Sequence, residues 1–195
     1  MVTKSALVLR DIDSLERMAK RGLAKVALSV TTLDRRIARA MEPRATTPAK
    51  RLEALRRMSE AGIPTAVMVA PIVPGLTDSE TEAILATAHD AGVREAGYVL
   101  LRLPLEIKDL FREWLKSEFP DRADRVLHLM QSMHGGRDYD STFGLRQRGR
   151  GPYADQIAQR FRLACRRLGL NEERKSLRRD LFTHPVLAGQ QMRLF

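Results

Sequence analysis

The chain has 195 residues, 44% hydrophobic and 30% charged, with a formal net charge of +10. That apolar content suits one packed unit and excludes a disordered chain, and there is neither an apolar run of membrane-spanning length nor a signal-peptide pattern. The positive balance favours an anionic partner, and the single cysteine, Cys165, excludes an intrachain disulfide, so a soluble cytoplasmic protein is the expectation.

Taken in order, Val2–Ser5 reads as either the tail of a strand or a disordered terminus, and Ala6–Arg10 is apolar enough to be a strand. Asp13-Ser-Leu-Glu16 has capping-box spacing and predicts a helix to Arg21, closed by Gly22. Lys25–Val30 is the first clear strand, and a short helix is expected from Asp34 to Met41. The next helix has Thr47 as its cap, Pro48 at its first position and Gly62 past its end. Leu52, Leu55 and Met58 place its apolar face on a sheet.

Thr65–Pro71 is the second strand, followed by Ile-Val-Pro-Gly-Leu and a second capping box, Thr77-Asp-Ser-Glu80. Ala83, Ile84, Ala88 and Ala91 give the helix it opens a narrow apolar side, closed by Gly92, and Gly97–Arg102 is the third strand. Strands without polar alternation, separated by helices, predict right-handed βαβ units and a parallel sheet covered on both faces. Ligands of such folds sit at the loops after the strands.

After Pro104 the pattern becomes helical. Leu105–Phe119 carries Leu110, Phe111, Trp114 and Leu115, and a further helix runs from Pro120 to Met133. A glycine-punctuated loop follows, and Pro152 opens a last helix with Ile157, Phe161, Ala164, Cys165 and Leu168 at helical spacing. From Leu170 the chain reads as irregular. The expected division is therefore an α/β unit over 1–119 and a helical, basic extension over 120–195.

Between Arg146 and Asp180 eleven bases stand against four acids, which makes this segment the source of most of the net charge. Arg146, Arg148, Arg150, Arg166 and Arg167 are its candidates for nucleic-acid phosphates, although a solvated surface is the commoner meaning of such a run. His89, His128, His134 and His184 have no metal-ligand spacing and read as surface or structural, with no metal assigned to them. Cys165 reads as a small core residue. Gln191-Met-Arg-Leu-Phe195 resembles the bacterial sliding-clamp-binding peptide, in which Gln191 would bond at a pocket rim and Leu194 and Phe195 would fill the pocket.

Thr3–Asp11, Ser29–Asp34, Glu42-Pro-Arg44, Ala70–Gly75 and Tyr98–Pro104, with Gly135–Asp140 and Gly151–Ala154, together resemble radical S-adenosylmethionine proteins. The nearest group is the spore-photoproduct-lyase-like, DNA repair photolyase branch. The resemblance implies a partial parallel (β/α) barrel and a four-iron, four-sulfur cluster held by C-x-x-x-C-x-x-C after the first strand. It also implies S-adenosylmethionine, cleaved reductively to a radical, with nucleic acid a plausible substrate. Cofactor contacts carried over to this chain are Lys4, Ser29, Glu42, Arg44, Pro71, Gly75, Leu101 and Arg102.

The cysteine triad is absent, and one thiolate cannot hold a cluster. The expectation is therefore the C-terminal portion of such a protein, lacking its N-terminal strands and inactive alone. It would be a truncated gene product, an incomplete reading frame, or one half of a split protein whose other half is a partner. The Lys25–Val30 edge would then be bare, or covered only by residues 1–10. The alternative is a non-enzymatic protein that binds nucleic acid or the clamp.

Overall fold

The computed structural model describes residues 1–183. Gln191, Leu194 and Phe195, the clamp-peptide candidates, lie outside them. The fold is α/β: four parallel strands in sequential order, β1 (Val2–Thr3), β2 (Val26–Val30), β3 (Thr65–Ile72) and β4 (Glu95–Leu100). Helices alternate with them: α1 (Ile12–Lys20), α2 (Arg35–Met41), α3 (Pro48–Glu60) and α4 (Thr81–Asp90). α5 (Ile107–Glu118) follows β4, and the extension adds α6 (Pro120–Met133) and α7 (Pro152–Arg167). This is compatible with a partial radical-SAM barrel followed by a helical extension.

Register follows the hydrophobic side chains. Leu28 lies beside Val67 and Val30 beside Val69, while Val69 lies beside Tyr98. Their shared face packs on Leu55 and Met58 of α3, Ile84 and Leu85 of α4, and Phe161 of α7. Leu55 and Met58 are fully buried, each contributing about 1.5–3 kcal/mol by removal from water. The opposite face carries small residues, Ala27, Ser29, Ala66 and Gly97, with Met68 among them. β2 is buried along its whole length, as expected, but β3 alternates between buried and half-buried, so its second face is less covered than its apolar run predicts.

Several local expectations are corrected. Ala6–Asp11 is a 3-10 helix, not a strand: Val8 turns inward while Leu7 is 75% exposed. Helix α1 is capped at Asp11, and Glu16, expected to close a capping box, pairs instead with Lys20 one turn on. The Thr77–Glu80 box does not form either. Thr77 accepts from the Val73 amide, and Glu80 reaches away to the loop after β2. In α4, Leu85 takes the buried place expected of Ala83, which is exposed, and in α5 Leu110 faces solvent.

The free edge of β2 meets β1 through only two residue pairs, Val2 with Ala27 and Thr3 with Leu28. A second apolar cluster closes the end of the sheet where strands become loops. Ile37, Val73, Leu76, Leu103, Phe111, Leu115 and Val126 meet there, so α5 and α6 share a core with the first half of the chain. Gly92 ends α4 at a φ of +88°, and a Cβ there would stand 2.8 Å from the Ser59 Cβ, so only glycine fits.

Candidate functional site

The C-terminal ends of the strands carry a shelf of charged and hydroxyl groups. Lys4 follows β1, Thr31 follows β2, and Glu42 caps the C-terminal end of α2. Because β1 and β2 are adjacent and parallel, Lys4 and Glu42 meet, forming an ion pair that the sequence separates by 38 residues. Glu42 also pairs with Arg51, in the first turns of α3, and Thr31 Oγ1 lies 3.2 Å from it. Burial works to raise the Glu42 pKa, but hydrogen bonds from Lys4 and Arg51 outweigh it and hold the carboxyl below the usual range.

Arg51 is the residue that sequence reasoning missed. Its side chain is 2% exposed, and the guanidinium donates to Ser29 O at 2.8 Å and to Thr46 O at 2.7 Å as well as to Glu42. The planar fork thus gathers β2, the segment before α3 and the α2 cap. A signal was available: Arg51, Leu55 and Met58 share a helical stripe, and a charge inside an apolar stripe implies a buried partner.

Glu80 holds the next loop in the same manner. Its Oε2 accepts from the Leu33 amide at 2.6 Å and the Asp34 amide at 3.3 Å, and Oε1 accepts from Thr32. Asp78, also buried, accepts from the Gly75 amide at 2.7 Å and from Tyr153 OH at 2.8 Å. Burial, then the Asp78 hydrogen bond, push the Tyr153 pKa up to about 12.

The other sequence-nominated contacts are less gathered. Ser29 is buried, and its carbonyl serves Arg51. Arg44 is exposed beyond the shelf. Pro71 follows a cis peptide at the β3 end, and the space beside Gly75 is filled by Leu129 of α6 at 3.1 Å from a built Cβ, rather than left open for a planar ligand. Leu101 donates to Ile72 O, and Arg102 donates to Tyr139 OH at 3.0 Å while its buried Nε has no partner. Tyr139 belongs to a loop pinned by Asp138, which accepts from Arg112 and Gln131. The Gln131 bond first, then Arg112, lower the Asp138 pKa against its burial.

Of the five phosphate candidates, Arg148 and Arg166 come together on a cavity beside β4. Arg146 lies over the Phe143 ring, Arg150 lies against Gly135, and Arg167 is exposed. Cys165 also lines that cavity, and burial pushes its thiol up to about 11.

The first stretch of the chain carries the family signal. Residues 2–88 match the Radical SAM superfamily. A protein of the Acidianus two-tailed virus is 42% identical over 72 residues, 37% of this chain and 23% of the relative. A Mycobacterium tuberculosis protein is 30% identical over 131 residues, 66% of this chain and 38% of the relative. A Methanocaldococcus jannaschii protein is 32% identical over 80 residues, 41% of this chain and 30% of the relative. All three carry the description uncharacterized protein. The chain therefore spans 23% to 38% of the length of these curated relatives. No solved structure matches it at a significant level.

The superfamily implies S-adenosylmethionine and a four-iron, four-sulfur cluster, and the residues fit the two unequally. The strand-end shelf offers an ammonium, a carboxylate and hydroxyls, and Arg102 leaves a buried donor unused, which suits a zwitterionic ligand with a ribose. The cluster does not fit. The chain has one cysteine, on α7 and buried, and among the described residues no three His, Cys, Asp or Glu side chains are grouped to hold a metal. Among them, too, no helix is long and apolar enough to cross a membrane.

Proposed function

We propose that this chain supplies the strand-end wall of a radical S-adenosylmethionine enzyme of the spore-photoproduct-lyase-like branch, with the cluster ligands contributed from outside residues 1–195. The observation that carries this reading is the Lys4–Glu42–Arg51 constellation at the ends of a parallel sheet, inside the stretch that matches the superfamily. Bound together, such a cofactor and cluster supply one-electron radical chemistry. This chain's own residues bind and orient. Lys4 holds a carboxylate, the shelf hydroxyls take the ribose, and Arg51 keeps Glu42 ionised and aimed. The small residues Ala27, Ser29, Ala66 and Gly97 leave the sheet face low beneath the ligand.

The cluster-bearing segment pairs along the outer edge of β1, where Val2 is 67% exposed. An unpaired parallel edge with exposed apolar side chains is a surface that another strand satisfies.

Equilibrium dialysis of the chain with S-adenosylmethionine tests the wall. Binding weakened at least tenfold by Glu42→Gln is expected, and no binding at millimolar ligand refutes it. Anaerobic loading with iron and sulfide tests the origin of the ligands. The chain alone should stay colourless, whereas co-expression with a radical-SAM segment that carries C-x-x-x-C-x-x-C should give cluster absorbance and deoxyadenosine. Stoichiometric cluster in the chain alone would sink the assignment of its ligands elsewhere.

A further inference from the structure

The outer edge of β4 has a gap in its backbone pairing beside a cavity, apart from the strand-end shelf. In the β3–β4 ladder the residues of β4 that bond β3 alternate with residues whose amides point away. Ala96, Tyr98 and Leu100 point away, because Ala96 and Leu100 find partners on the far side. Asn171 clamps the lower end: its side chain accepts from the Ala96 amide at 2.9 Å and donates to the Ala96 carbonyl at 3.1 Å. Gln147 O accepts from the Leu100 amide at 2.9 Å at the upper end. Between these two plugs, the Tyr98 N–H and C=O acquire no partner among the described residues. A donor and an acceptor side by side on one strand edge form the complement of a nucleobase edge.

A cavity of about 690 Å³ opens at this gap, between β4 and one stripe of α7. Its volume is in the range that takes a ligand of nucleotide size. Ala158, Phe161 and Leu170 contribute an apolar lining that suits a flat ring. Arg148, Arg162, Arg166 and Arg174 also line it. Among the described residues none of these four guanidiniums has a carboxylate partner, whereas Arg51, Arg56, Arg112 and Arg160 elsewhere all do. Arg148 is held in place by the Tyr98 ring, 4.0 Å from its centroid, which fixes the guanidinium without consuming its donors. Asp155 and Glu172 are the acids on the rim, so cations outnumber them there.

We propose that this cavity binds a nucleoside phosphate, with the base against the Tyr98 strand edge and the phosphates on Arg162 and Arg166. Guanidinium forks match phosphate oxygens two at a time, and among the described residues neither Asp155 nor Glu172 pairs with these arginines. A strand of another protein fits worse, because Asn171 and Gln147 already occupy the flanking ladder positions.

The test is calorimetric titration of the full chain with ATP, GTP, pyrophosphate and a single-stranded oligonucleotide. One nucleotide is expected to bind, at least tenfold tighter than pyrophosphate. Arg162→Ala with Arg166→Ala should weaken it at least tenfold. Ala158→Trp, which fills the cavity without changing charge, should do the same, and circular dichroism melting should confirm that both variants fold. Arg35→Ala with Arg39→Ala, the same loss of charge on α2, should leave binding unchanged. The proposal fails if pyrophosphate binds as well as the nucleotide, if only the oligonucleotide binds, or if Ala158→Trp has no effect. It does not depend on the radical-SAM reading, since neither S-adenosylmethionine nor a cluster enters the test.

Discussion

The strand-end shelf and the β4-edge cavity both use arginine, yet they treat its charge in opposite ways. On the shelf Arg51 is buried and each of its three guanidinium nitrogens has an acceptor: Thr46 O, Ser29 O and Glu42. At the cavity Arg162 and Arg166 are exposed and no carboxylate of the described chain answers them. A buried charge must be paired within the protein, or desolvation would expel it. A charge at a wet cavity mouth has no such requirement and remains available to a ligand. The difference separates arginine as a structural tie from arginine as a binding group, and it turns on burial rather than on residue type.

The comparison breaks first at Arg51. Arg51→Met should cost about 3–5 kcal/mol in urea unfolding, because Glu42 is left half-buried with one cation fewer and two carbonyls lose their donor. A loss below about 1 kcal/mol would place the shelf with ordinary surface pairs. Glu42→Gln should cost about 2–3 kcal/mol at neutral pH, since it replaces charge-assisted bonds by neutral ones. The same variant carries a pH signature. The folded Glu42 pKa lies below the unfolded one, so its contribution is full above the unfolded carboxylate value, about 4.3, and is lost as pH falls through the folded value. Unfolding curves from pH 7 downward should therefore slope less in Glu42→Gln than in the parent; equal slopes would deny Glu42 that role.

Asn171→Gly sharpens the other side. Asn171 has a φ of +68°, so glycine removes the clamp without adding backbone strain. A loss of about 1–2 kcal/mol is expected, with faster hydrogen exchange at the Ala96 amide. Unaltered exchange would mean that the edge is protected by something other than Asn171. The smallest effect belongs to Arg162→Ala with Arg166→Ala, which should leave the urea midpoint where it is. A clear stability loss there would show these arginines to be structural ties after all.

Much of the fold was legible in the chain. Apolar runs marked β2, β3 and β4, and Asp34, Pro48, Pro120 and Pro152 marked helix starts, because caps and proline act through local backbone geometry. Lys4 and Glu42 were both singled out, but as separate ligand contacts rather than as partners. The short segments misled. Ala-Leu-Val-Leu at 6–9 has no period long enough to tell a strand from a turn of helix, and a capping-box pattern says nothing of a nearer claimant for its glutamate.

By itself, then, the sequence determined the alternation of strands and helices, the parallel sheet, the basic C-terminal half and, in its single cysteine, that these 195 residues do not include the C-x-x-x-C-x-x-C triad. Those properties depend on periodicity, local propensity and composition. Only the tertiary structure decided that Arg51 is buried with Glu42, that Glu80 ties the loop after β2, and that Asn171 and Gln147 plug an edge whose gap faces four arginines. Each joins groups far apart in the chain, and strand adjacency, not spacing, brings such groups within hydrogen-bond reach.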